Sequence, residues 1–218
     1  ALGNAFPPPP KLCAALGATL LALHQAALAR GGSEFVMTRE RSGGATALAR
    51  LLVLNKEGIC SLPGYVALFL LARAGAAQVA LTDGDADTVE NARRNMGLNV
   101  EGGGGPGVTC EQLRWEAPGR VEADIILGAD LLYDPGVIPD LVRLISCARD
   151  ATGAPAVALI ATAVRNEATL AKFLAAAGAA GLEVEDLSEE ARRGAVRFDH
   201  HLTLSRDAVR LHRLVLKE

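Results

Sequence analysis

Residues 124–134, Asp-Ile-Ile-Leu-Gly-Ala-Asp-Leu-Leu-Tyr-Asp, bring a carboxylate and a phenol to the end of an apolar run. Ile125 to Leu127 have the make-up of a strand covered on both faces. Asp130 and Tyr133 follow where the run stops. In an open α/β sheet, ligands bind beyond the carboxyl ends of the strands. An acid and a phenol three residues apart at that point are therefore candidates for a site. A helix-capping Asp and a half-buried Tyr fit the same spacing.

A second group sits at Thr82-Asp83-Gly84-Asp85, after the short apolar run Gln78–Thr82. A carboxylate at such a strand end can accept two hydrogen bonds from a ribose diol, the nucleoside mode of doubly wound sheets. Asp85 also has the position of an N-cap for a helix starting at 86, and both roles can hold at once. Trp115, the single tryptophan, closes the next strand. Its indole can stack on a nucleobase or pack in the core. The loop Glu101–Gly107 is glycine-rich, but it follows a helix and precedes a strand. That is the wrong context for a phosphate cradle. No Ser-His-Asp or Cys-His set offers a covalent nucleophile.

The elements that must position these residues alternate. Helical periodicity marks Leu12–Arg30, the apolar stretch Tyr65–Ala74, Ala86–Gly97, Val137–Arg149 and Glu167–Ala180, and Gly43–Arg50 reads as the start of another helix. Strand patterns cover Gln78–Thr82, Val108–Leu113, Asp124–Gly128, Ala156–Ala163, Leu182–Leu187 and Ala208–Leu216. This alternation predicts an α/β fold, a doubly wound and mostly parallel sheet. The last strands, which follow a long irregular stretch, are expected to add an antiparallel edge. Residues 1–42 are expected to form a helical extension ahead of a domain spanning 43–218.

Bulk properties narrow the function. The 218 residues suit one α/β domain with a small extension, and 50% apolar residues support a large core. A net charge of −3 disfavours broad electrostatic capture of nucleic acid. Cys13, Cys60, Cys110 and Cys147 are too scattered for a zinc site, and the four histidines give no metal spacing. Unpaired cysteines of this kind fit a reducing compartment, cytosol or nucleus. Leu12 to Ala29 is barely long enough to cross a bilayer and carries His24 and Gln25, so a soluble buried helix is expected there, with no membrane role.

Taken together, Thr82-Asp83-Gly84-Asp85 with Glu90-Asn91 and Asn95, Leu113 and Trp115, Ala129-Asp130-Leu131-Leu132-Tyr133, and Ala163-Val164-Arg165-Asn166 resemble the seven-β-strand protein-lysine methyltransferases. Within them, the branch that includes the eukaryotic elongation factor 2 lysine methyltransferase is the nearest in pattern. The resemblance covers roughly residues 60–218. It implies a Rossmann-like class I methyltransferase fold, S-adenosylmethionine as methyl donor, and a lysine side chain of a protein as acceptor, with a translation factor as one candidate. It implies that Asp83 holds the ribose hydroxyls and that Trp115 lies against the adenine. Ala129, Gly58 and Ser61 would line the donor, and Asp130 and Tyr133 would shape the transfer channel. Arg165 and Asn166 would border the acceptor. A cytoplasmic enzyme, monomeric or in transient complexes with its protein substrate, follows from the same likeness.

The chain departs from that family at its first strand. The family carries a Gly-x-Gly-x-Gly loop there, because the backbone must turn tightly against the donor. A gapless reading puts Val53-Leu54 on the strand and Glu57-Gly58-Ile59-Cys60-Ser61 in the loop, so Glu57, Ile59 and Ser61 fill glycine positions and Asn55 replaces an acid. Likewise, Arg114 stands where an acid meets the adenine amine. A second reading makes Gly43 to Leu54 one continuous helix, with the first strand and its loop missing. The first reading gives an enzyme with an unusual donor loop. Either is compatible with a catalytically silent relative that binds a partner.

Overall fold

The computed structural model describes residues 38–40, 46–48, 50–54, 78–99, 107–129, 131–132, 134–189 and 209–217. A hairpin comes first, β1 (Thr38–Glu40) paired antiparallel with β2 (Thr46–Leu48). This pairing crosses the boundary expected at 42/43. There follow β3 (Arg50–Leu54), β4 (Gln78–Asp83), α1 (Ala86–Asn99), β5 (Val108–Gln112), β6 (Ile125–Ala129) and α2 (Ile138–Cys147). The chain continues with β7 (Val157–Ala163), α3 (Glu167–Ala179), β8 (Leu182–Asp186) and β9 (Val209–Leu216). The helices expected at 12–30 and 65–74 lie outside the described residues. Among those described, no helix is long and apolar enough to cross a membrane.

Seven strands form one sheet in the order β5-β4-β3-β6-β7-β9-β8. β3, β4, β5, β6 and β7 run parallel, while β9 is antiparallel to both β7 and β8. The antiparallel strand thus sits one place in from the edge, and β8 occupies the edge itself.

The helix expected from Gly43 is not there. Thr46–Leu48 and Arg50–Leu54 are strands, and β3 is paired on both sides, Leu52 opposite Ala80 of β4 and Ile126 of β6. A short apolar run such as Leu51–Leu54 has no periodicity that separates a buried strand from a helix. Two flanking parallel strands with open ladders decide it, because their backbone groups need partners. The first strand is therefore present, which removes the reading in which it was lost.

Buried parallel strands need apolar residues on both faces, and β4 meets this with Val79, Ala80 and Leu81; Thr82 and Asp83 beyond them are buried as well. Ala80, Ile126, Ala158, Ile160 and Leu214 join α2 and α3 in one core cluster. Ile138, Leu141, Val142, Leu144 and Ile145 give α2 its buried stripe, and Leu170, Phe173 and Ala177 give α3 its own. Pro139 in the first turn of α2 pre-sets the backbone where its missing N–H costs nothing. Asn166 caps α3 by accepting from Ala168 N at 2.9 Å. Gly181, at φ 79°, turns the chain from α3 into β8 in a conformation that a side chain would strain.

On the same cluster face, β9 places His212 opposite Ile160 of β7 and Asp186 of β8. His212 is 4% exposed, and among the described residues neither its Nδ1 nor the Oγ1 of buried Thr162 has a hydrogen-bond partner. Burial pushes the imidazole below its ordinary value of 6.5; Asp186 opposes that push and Arg210 adds to it. The unfolded chain therefore binds a proton that the folded chain resists, so stability is complete above pH 6.5 and falls as pH drops through it. Urea denaturation across that range should show the decline in the wild type and a flatter profile in His212→Gln. Parallel profiles would show that His212 is not its source.

Candidate active site at the carboxyl edge of the sheet

The strand order reverses at β3: β4 and β5 lie to one side, β6 and β7 to the other. In open α/β sheets a ligand crevice forms at such a switch point, outside the strand ends. Leu54, the last residue of β3, is level with Thr82 of β4 and Gly128 of β6. Asp83 and Ala129 each stand one residue beyond it, on either side, two strand spacings or roughly 10 Å apart. The register alone thus brings these two expected positions to the same end of the sheet, on either side of the switch point.

Asp83 is 3% exposed. Its Oδ1 accepts from Asp85 N at 2.9 Å across a turn at Gly84, and Gln112 Nε2 donates to Gly84 O at 2.9 Å. Leu113 N donates to Asp83 O at 2.9 Å. The acid is therefore held through its own side chain and through the backbone on both sides. The two oxygens of a carboxylate at such a strand end can accept from both hydroxyls of a vicinal diol. Asp85 also caps α1, accepting from Thr88 Oγ1 at 2.8 Å and Thr88 N at 3.2 Å. These bonds, the hydroxyl's first, hold its carboxyl below the usual carboxylate range. Asp85 thus serves as the N-cap, and Asp83 is the buried carboxylate at the strand end.

Beyond β5 the chain turns at Arg114–Ala117, closed by Ala117 N donating to Arg114 O at 3.2 Å. Trp115 in this turn is 5% exposed and belongs to the core cluster with Val142, Leu144 and Ile145 of α2. The indole is thus packed, with almost none of its surface open. From α2, Arg143 reaches the turn: Nη1 donates to Glu116 O at 3.1 Å while Nη2 lies 2.9 Å from Asp140 Oδ1.

Asp130 and Tyr133 lie outside the described residues, as do Gly58 and Ser61, and nothing is described of the Ala129 side chain. Their neighbours are placed. Leu131 and Leu132 are 2% and 7% exposed, anchoring the segment in the core. Gly128 packs closely against that anchor: a Cβ there would meet Leu131 Cδ1 at 2.6 Å and Ile160 Cδ1 at 2.8 Å, so both side-chain ends would have to shift. Asp134 Oδ1 accepts from Gly136 N at 2.7 Å, and Lys172 of α3 donates to Pro135 O at 2.9 Å. Arg165 and Asn166 are exposed after β7, with Asn166 serving as the cap of α3.

Gln112, Arg143, Lys172 and Gly128 escaped the sequence reading. A glycine inside a strand pattern does signal close packing, so Gly128 was open to detection. The other three grip backbone carbonyls 28, 27 and 37 residues away, and no spacing rule encodes such bonds.

Among solved structures, magnesium protoporphyrin IX methyltransferase from Synechocystis PCC 6803 with bound S-adenosylmethionine superposes with a TM-score of 0.53. The match covers 99% of this chain and 87% of that one at 14% identity. The fold is that of the class I methyltransferases. Two curated relatives are protein-lysine N-methyltransferase EFM3 of Saccharomyces cerevisiae, 35% identical over 43% of this chain, and EFM3 of Chaetomium thermophilum, 30% identical over 56%. The chain spans 28% and 38% of their respective lengths. A family model described as GWT1 matches residues 2–102, less than half of the chain. That stretch includes β3 and β4 of the sheet described above, and the helix α1.

Filling the contact at Gly128 should displace the segment that follows β6. Gly128→Ala is expected to cost about 1–3 kcal/mol in chemical denaturation, the usual range for overpacking. A wild-type midpoint would mean that Leu131 and Ile160 repack without strain.

Proposed function

We propose that this protein transfers a methyl group from S-adenosylmethionine to a lysine side chain of a protein substrate, with a translation factor as the favoured class of acceptor. The observation that carries the proposal is the buried Asp83 carboxylate, held at the carboxyl end of β4 beside the switch point of a class I methyltransferase sheet. The two EFM3 relatives support lysine as the acceptor.

The bound donor supplies an electrophilic methyl on a sulfonium. The chain's part is to bind, orient and exclude water, which are the main sources of rate in such a transfer. In this proposal Asp83 receives the ribose hydroxyls and Trp115 borders the adenine. Ala129, Gly58 and Ser61 line the rest of the donor. Asp130 attracts the acceptor ammonium and orients the amine after it loses its proton. Tyr133 walls the channel with a ring that tolerates a cationic product. Arg165 and Asn166 border the approaching substrate. A cytoplasmic setting accords with this acceptor.

Calorimetry with S-adenosylhomocysteine tests the donor half. Micromolar binding is expected, weakened roughly tenfold or more in Asp83→Ala by loss of charged hydrogen bonds. No heat at millimolar ligand would favour a silent, partner-binding relative, the reading that Glu57 and Ile59 in the donor loop support. For the acceptor half, Asp130→Ala should slow methyl transfer to elongation factor 2 while leaving S-adenosylhomocysteine affinity near wild type. Unchanged transfer would remove Asp130 from the mechanism.

A further inference from the structure

We infer that Arg143 is a positioning residue for the nucleobase end of the donor site: from α2 it holds the turn that carries Trp115, and so fixes the wall against which the adenine lies. This rests on the donor site proposed above and adds to it a residue on an element with no direct part in that site.

The observations converge on one turn. Trp115 lies three residues past Gln112, whose register partner is Asp83, so the turn stands beside the ribose position. The indole is packed to 5% exposure, and a small displacement of the turn would either expose the ring or push it into the crevice. Within the turn, the Ala117 N to Arg114 O bond closes the backbone but does not tie it to the body of the protein. Arg143 supplies such a tie, through Nη1 to Glu116 O at 3.1 Å. Asp140, one helical turn back on α2, receives the other arm of the guanidinium at 2.9 Å and aims it. A guanidinium with five donors in a rigid fork can serve a carboxylate and a carbonyl together. Val142, Leu144 and Ile145 of the same helix belong to the core cluster that includes the indole, and Arg143 adds a polar tie from that helix to the turn.

Because Trp115 is the only tryptophan, its emission reports the turn directly. In unliganded protein, Arg143→Ala should shift the emission to longer wavelength, as the ring gains water, with the cooperative unfolding transition retained. In calorimetry, the same variant should bind S-adenosylhomocysteine about fivefold more weakly, the worth of one such hydrogen bond. Arg143→Lys keeps one donor within reach of the carbonyl and should restore part of both signals. Asp140→Ala breaks the ion pair but leaves the bond to Glu116 O, and should stay within about twofold of wild type. If Arg143 acted only as a surface ion pair, Arg143→Ala and Asp140→Ala would behave alike. That result, or an unshifted emission with wild-type affinity in Arg143→Ala, overturns the inference. Absent binding in the wild type would defeat the donor site itself, and with it the nucleobase role. An emission shift in Arg143→Ala would then still record the tie to Glu116.

Discussion

The register of β3 is the constraint on which the site depends. Pairing Leu54 with Thr82 on one side and Gly128 on the other sets Asp83 and Ala129 at one level across the switch point. A slip of one residue in either ladder would turn alternate side chains to the opposite face and carry the acid away from the crevice. The slip is resisted because β4 is buried along residues 79–83, so any shift would exchange packed apolar side chains for mismatched ones. The chemistry at the sheet edge is thus held by hydrophobic burial several residues below it.

Above the strands the structure uses a different device. The loops after β4, β5 and β6 each have a backbone carbonyl gripped by a side chain from a neighbouring element: Gly84 by Gln112, Glu116 by Arg143, Pro135 by Lys172. Each such bond contributes on the order of 1 kcal/mol, small beside the core. Their value lies in geometry, because a loop tied at both its root and its crown has few ways to move. The segment after β6 adds apolar anchors at Leu131 and Leu132, with Leu131 close against the bare backbone of Gly128.

Much of the fold was legible in the chain. The strands at 78, 108, 125 and 157 and the helices at 86, 138 and 167 fall within a residue or two of their expected starts, since each pairs a clear apolar period with a clear stop or cap. The capping position of Asp85 was legible from its place ahead of the helix, and its bonds to Thr88 show the cap. The Gly43–Leu54 stretch stayed open between a strand at Val53-Leu54 and a continuous helix, because a short apolar run has the same composition as helix or buried strand. Trp115 was open between core and nucleobase, and its burial places most of the ring in the core.

What the sequence determined by itself was the set of elements and the chemical character of their ends, because periodicity, caps and turn residues act over a few neighbours. Tertiary structure alone decided that 50–54 is a strand, that β9 inserts between β7 and β8, and that Arg143 and Lys172 hold distant carbonyls. These outcomes depend on which backbone groups and apolar faces remain unsatisfied once the other elements have packed. No local pattern carries that information.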